Sequence, residues 1–124
     1  MREIRPEGGP TPSGAYVPGI SAGGFVFVSG QGPLHPETGE VIGSTIGEQV
    51  VATLDNVERV LRAAGAELAD VVRTDVFLAD LADFDRYDAA YRQRFGGHLP
   101  ARTTVAAGIS GILVEICAIA VVES

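Results

Sequence analysis

Lysine is missing from this chain, and so is tryptophan, while cysteine and methionine occur once each. Without lysine there is no Schiff-base nucleophile, no pyridoxal phosphate anchor and no phosphate-loop lysine. The single cysteine, Cys117, excludes an internal disulfide and any multi-cysteine metal site. Positive charge is scarce too: nine basic residues, all arginine and scattered, stand against 16 acids, for a net charge of −7. Neutralising a phosphate backbone takes clustered cations, so no nucleic-acid partner is expected. No apolar run reaches membrane-spanning length, and "MREIRPEGG" has no apolar core of the secretory kind, so the expectation is a cytoplasmic protein with no membrane partner. A metalloprotease signature of the HExxH kind is also absent.

What is present suits one soluble domain over residues 1–124, with 46% hydrophobic and 20% charged residues. The first dozen residues, rich in Gly and Pro, read as a short edge strand and a loop. "YVPGISAGGFVFVSG" reads as two strands joined around Ser21 to Gly24, and "PLHPETGEV" as a loop turning at Thr38 and Gly39. Ile46, Val50, Leu54, Val57, Leu61 and Ala64 recur at spacings of four and three, which predicts a helix capped at Gly65. "VVRTDVFL" is a strand. A second helix, from about Leu81 to Phe95, carries Leu81, Phe84, Tyr87, Asp88, Tyr91 and Phe95 near one face. "ARTTVAA" and "ILVEICAIAVV" follow as strands joined by a short glycine turn. The order β-β-α-β-α-β-β predicts an α+β layer, one mixed sheet with two helices on one face. Both faces of the last strand are apolar, and one layer of helices covers only one of them. The other face, which includes Glu115, is therefore expected to pack on another subunit.

Glu115 is the one charge inside "GILVEICAIAVV" and needs a partner or a task. If the last two strands form a hairpin about residues 108–111, Arg102 and Glu115 approach each other across the ladder. Such a pair is either a buried structural ion pair or a site. In a site, arginine offers a planar fork for a substrate carboxylate, and a glutamate in an apolar setting takes a proton from water. Ser29 and Gly30 end a strand where backbone N–H groups become available, and equally read as a turn. Tyr16, in a loop, reads alone as packing. Asp88 sits on the aromatic face of the second helix, but its spacing from Arg92 favours an i,i+4 pair. Cys117 reads as a buried, inert thiol, His35 and His98 as surface residues. "GQGPLH" starts like a dinucleotide loop, but Pro33, His35 and the late helix break that pattern.

"GAYVPGI", "FVFVSGQGPLHPETGEV", "QVVATLDNV", "AAGAELADVVRTDVFLADLADF", "LPARTTV" and "VEICAIA" together resemble the RidA/YjgF (Rid) family, from about Tyr16 to Val122. The resemblance implies a chorismate-mutase-like α+β fold assembled as a homotrimer, with active sites in the clefts between subunits. It also implies cofactor-independent hydrolysis of reactive 2-imino or enamine acids, such as 2-iminobutyrate and 2-iminopropionate, to 2-keto acids and ammonia. By motif, Arg102 of "PAR" would hold the substrate carboxylate and Glu115 of "VEI" would position water. Tyr16, Ser29 and Gly30 would line the site, with Asp88 and Thr104 at substrate-binding positions. Both of the latter depart from the family pattern, where asparagine and cysteine are usual. The alternatives the resemblance carries are a non-catalytic keto-acid-binding trimer and an endoribonuclease or translation inhibitor.

Overall fold

The apolar stripe beginning at Ile46 becomes helix α1 (Ile46–Ala63) in the computed structural model, which describes residues 1–122. Thr45 starts the helix with a capping box: its hydroxyl accepts from the Glu48 N–H, and the Glu48 carboxylate accepts from the Thr45 N–H. Gly65, at φ +81°, ends it in the left-handed region. Val50, Leu54, Val57 and Leu61 have no exposed surface. Each such side chain contributes roughly 1.5–3 kcal/mol by leaving water.

The strands are β1 (Arg2–Ile4), β2 (Gly19–Ala22), β3 (Phe25–Gln31), β4 (Val71–Leu78), β5 (Ala101–Ala106) and β6 (Val114–Val121). Helix α2 (Phe84–Phe95) is shorter than expected, because Leu81–Asp83 form a separate 3-10 turn. The six strands make one mixed sheet in the order β1-β2-β3-β6-β4-β5. This is the expected α+β layer, with the first edge strand now counted.

One expectation fails. β5 and β6 are not a hairpin: β6 runs antiparallel between β3 and β4, while β5 lies at the edge, parallel to β4. The reason is physical. The β4-α2-β5 segment is a crossover unit, and a helix spanning the sheet returns the chain parallel. The more apolar β6 then takes the central slot, where it has neighbours on both sides, and the Thr-rich β5 takes the edge.

The register sorts side chains into two faces. Val114, Ile116, Ala118 and Ala120 of β6, with Val26, Val28, Thr74, Val76 and Leu78, are buried under the helices. Glu115, Cys117, Ile119 and Val121 point the other way, beside Asp75 and Phe77 of β4 and Phe25 and Phe27 of β3. None of the described residues covers that second face, and Phe25 and Phe27 are 43% and 42% exposed. Among the described residues, no helix is long and apolar enough to cross a membrane.

Candidate functional site

Arg102 pairs in register with Thr74, which is buried under α2, so its side chain emerges on the helix face of the sheet. There its guanidinium lies 4.7 Å from the ring centre of Tyr91, 5.0 Å from that of Tyr87 and 5.6 Å from that of Phe84. Rings at this range attract a cation through their negative faces. Their spacing along α2 is the helical i, i+3, i+7 pattern, and Tyr87 and Tyr91 are themselves fixed. The Tyr91 hydroxyl is 2.6 Å from that of Thr74, and the Tyr87 hydroxyl 2.6 Å from that of Thr104. Burial pushes both phenols up, Tyr91 to about 12. They therefore stay neutral around the cation.

Arg102 Nη2 also lies 2.8 Å from Asp88 Oδ1, and both side chains are about a quarter exposed. Asp88 thus pairs with Arg102 across elements, and the expected Asp88–Arg92 pair on the helix does not form among the described residues. A cavity of about 270 Å³ opens beside this pair, lined by Asp88, Tyr91, Arg92, Leu99, Pro100 and Arg102.

Glu115 occupies a different place. Its register partner on β4 is Phe77, on the uncovered face, so Arg102 and Glu115 of one chain stand on opposite faces of the sheet. The expected pairing of the two across a ladder is therefore wrong, as a direct result of β5 leaving β6. Among the described residues the Glu115 carboxylate has no hydrogen-bond or ion-pair partner, and it lies against Gly30. A Cβ at residue 30 would come within 2.7 Å of Glu115 Oε2 and 3.0 Å of its Cδ, so any side chain there must displace the Glu115 carboxylate from its present position. The β3–β6 register shifts between Val28 and Gln31, which brings Ser29 and Gly30 out of the regular ladder. Ser29 Oγ donates to the Val17 carbonyl at 2.7 Å, and its N–H donates to that of Pro18. This ties the loop carrying Tyr16, a residue 47% exposed, to the end of β3.

The candidate residues therefore fall into two groups. Arg102, Asp88 and Thr104 gather at β5 and α2, while Glu115, Ser29, Gly30 and the Tyr16 loop gather on the opposite side. Sequence reasoning did not assign Phe84, Tyr87 and Tyr91 to the site; their aromatic stripe on α2, the same face as Asp88, was the available signal. Cys117 is half-buried rather than buried, and burial together with nearby Asp75 pushes its thiol up. His35 organises its own turn by accepting from the Glu37 and Thr38 N–H groups, and His98 contacts the Val71 carbonyl at 2.8 Å. No group of three or more His, Cys, Asp or Glu among the described residues could hold a metal ion.

The chain belongs to the RidA/YjgF family: the family profile described as Endoribonuclease L-PSP matches residues 7–122. A RutC family protein of Saccharolobus solfataricus is 42% identical over 123 residues, covering 97% of this chain and 98% of its own. The 2-iminobutanoate/2-iminopropanoate deaminase of Escherichia coli K12 is 38% identical over 125 residues, covering 97% of each. The structure of Escherichia coli TdcF with bound serine superposes with a TM-score of 0.92 at 34% identity, covering 99% of this chain and all of that one. The fold is thus that of the RidA/YjgF proteins, and the family includes imine deaminases.

Proposed function

We propose that this protein hydrolyses 2-imino acids to 2-keto acids and ammonia, as a single-domain homotrimer with its sites in clefts between copies. The observation that carries the reading is the division of the site. Arg102 projects toward a cavity on one face at the edge of the sheet, while Glu115 stands without a partner among the described residues, on an apolar face that they leave uncovered. A copy docked by its β5 edge against the open face of another unites the two groups and covers the exposed Phe25 and Phe27.

The chemistry follows from the groups. Arg102, oriented by three rings, clamps the substrate carboxylate. The imine carbon is already electrophilic, so a positioned water suffices as nucleophile. Glu115 takes a proton from that water as oxygen bonds to C2, and Ser29, Gly30 and Tyr16 shape the wall beside it. The carbinolamine then expels ammonia, leaving C=O where C=N stood. Thr104 fixes Tyr87 and hence one wall of the Arg102 cage.

The test is an amino-acid oxidase generating 2-imino acids beside semicarbazide, with the protein competing for the imine. Accelerated keto-acid release that falls at least about 100-fold in Arg102→Ala, with the trimer mass unchanged by light scattering, supports the reading. Unaltered rates would sink it. The endoribonuclease reading has the family description and the names of similar solved structures behind it, and a net charge of −7 without lysine weighs against it. RNA cleavage that persists through purification and is lost with Arg102→Ala would revive it.

A further inference from the structure

The ion pair in the cavity wall has a consequence for which ligands fit. An arginine alone makes a positive pocket, matched to an anion. Here Arg102 carries Asp88 at 2.8 Å, and both residues line the same cavity of about 270 Å³. The two charges cancel. A carboxylate side chain only accepts hydrogen bonds, so Asp88 cannot donate to a ligand's carboxylate; it repels one and attracts a cationic N–H. Arg102 keeps several donors in a planar fork, enough to hold Asp88 and a ligand carboxylate together. The aromatic cage prevents it from swinging away, because Tyr87 and Tyr91 are buried and tied to Thr104 and Thr74. The remaining cation of the cavity wall, Arg92, has no ion-pair partner among the described residues and is exposed.

We propose that Asp88 is a specificity-determining residue that makes the cavity a receptor for zwitterions, with the ligand carboxylate on Arg102 and a protonated nitrogen at C2 on Asp88. This deepens the reading of Arg102 as carboxylate clamp, and rests on it. For the reaction proposed above, the form bound is the iminium, R–C(=NH2+)–COO−. Water adds to its C2, the C–N bond breaks, and the products are R–CO–COO− and NH4+. Protonation at nitrogen makes C2 the better electrophile, so the ion pair selects the reactive form. The keto acid formed has lost the cation that Asp88 holds, and only its carboxylate remains, beside a like charge. Product release follows from the same contact that selects substrate.

Two ligands with one carbon skeleton separate this from a simple anion pocket. 2-Aminobutyrate is a zwitterion with nitrogen at C2, whereas 2-oxobutyrate is an anion without it. Titration calorimetry at neutral pH on the intact trimer is expected to give the wild-type protein a preference of about tenfold for 2-aminobutyrate, the size of one charge-assisted contact. Asp88→Asn is expected to erase that preference by binding the keto acid more tightly. Its imine hydrolysis should also lose activity at a lower pH than the wild type, because nothing then holds the iminium proton. Asp88→Ser serves if the asparagine variant fails to fold, and a purely structural role for Asp88 leaves the ligand ratio unmoved. An unchanged ratio in the variants, a wild-type preference for the keto acid, or no binding of either ligand overturns the proposal. Absent hydrolysis with the expected ratio instead sinks the deaminase reading and leaves the zwitterion receptor standing.

Discussion

The two halves of the candidate site are built on opposite physical plans. Around Arg102 the partners come from one chain: three rings frame the guanidinium, Asp88 neutralises it, and two threonine hydroxyls hold two of the rings. Glu115 is left unsatisfied by the described residues. The carboxylate rests on a glycine, flanked by apolar strand residues and facing a surface without cover. Under the proposed function this is a division of labour: binding is prepared in the single chain, and the reacting end is completed by a second copy. The comparison also answers why a charge stands inside "GILVEICAIAVV". The helix-covered positions of that strand are all apolar, and Glu115 falls on the alternate face, where the chain alone imposes no dry core.

The sharpest way to break this comparison is to strike the unsatisfied half. Glu115→Gln keeps shape but removes the proton acceptor, and is expected to lower kcat about 100-fold with little change in ligand affinity. Calorimetry beside the imine assay checks it, and lost affinity would place Glu115 in binding instead. Gly30→Ala is next in size. Its added methyl must displace the Glu115 carboxylate, so kcat should fall about tenfold while the melting temperature holds, since Gly30 lies outside the regular ladder.

The satisfied half is sharpened by pH. Folded Tyr91 keeps its proton to about pH 12, against an ordinary tyrosine value of 10.0. As pH rises through that window the unfolded chain sheds a proton that the folded chain holds, so stability falls there and is unaffected below it. Denaturant melts run beside ultraviolet phenolate absorbance should show unfolding and Tyr91 ionisation together. Ionisation of all tyrosines well before unfolding would mean an open cage. Smallest is Thr45→Ala, which removes the α1 cap far from either half. It should cost about 1 kcal/mol in denaturant unfolding and leave kcat/KM unchanged.

Much of the fold was legible in the chain, and for identifiable reasons. The α1 stripe, the Gly65 cap and the strands "FVFVS" and "VVRTDVFL" are local patterns, and each appears where its periodicity put it. The two-faced apolarity of β6 was also visible, since alternation alone separates Val114, Ile116, Ala118 and Ala120 from Glu115 and its neighbours. Strand order was not. Proximity in sequence favoured a β5–β6 hairpin, yet pairing is decided by which neighbour buries more and by the parallel return that α2 enforces. The error then spread to the site. Arg102 was matched with Glu115 and Asp88 with Arg92, both by nearness in sequence, whereas the folded chain joins Arg102 to Asp88.

The residue types, their order and their local periodicity determined by themselves that this chain makes strands and two helices, lacks the reagents of lysine and multi-thiol chemistry, and places Arg102 and Glu115 at strand positions. Hydrophobic alternation and helix capping act over a few residues, so they can be read without coordinates. Only the tertiary structure decided that the two charges stand on opposite faces, that three rings of α2 enclose one of them, and that Asp88 shares its cavity. Those facts depend on which strands become neighbours, a competition of burial and crossover geometry across the whole sheet that no short stretch of sequence contains.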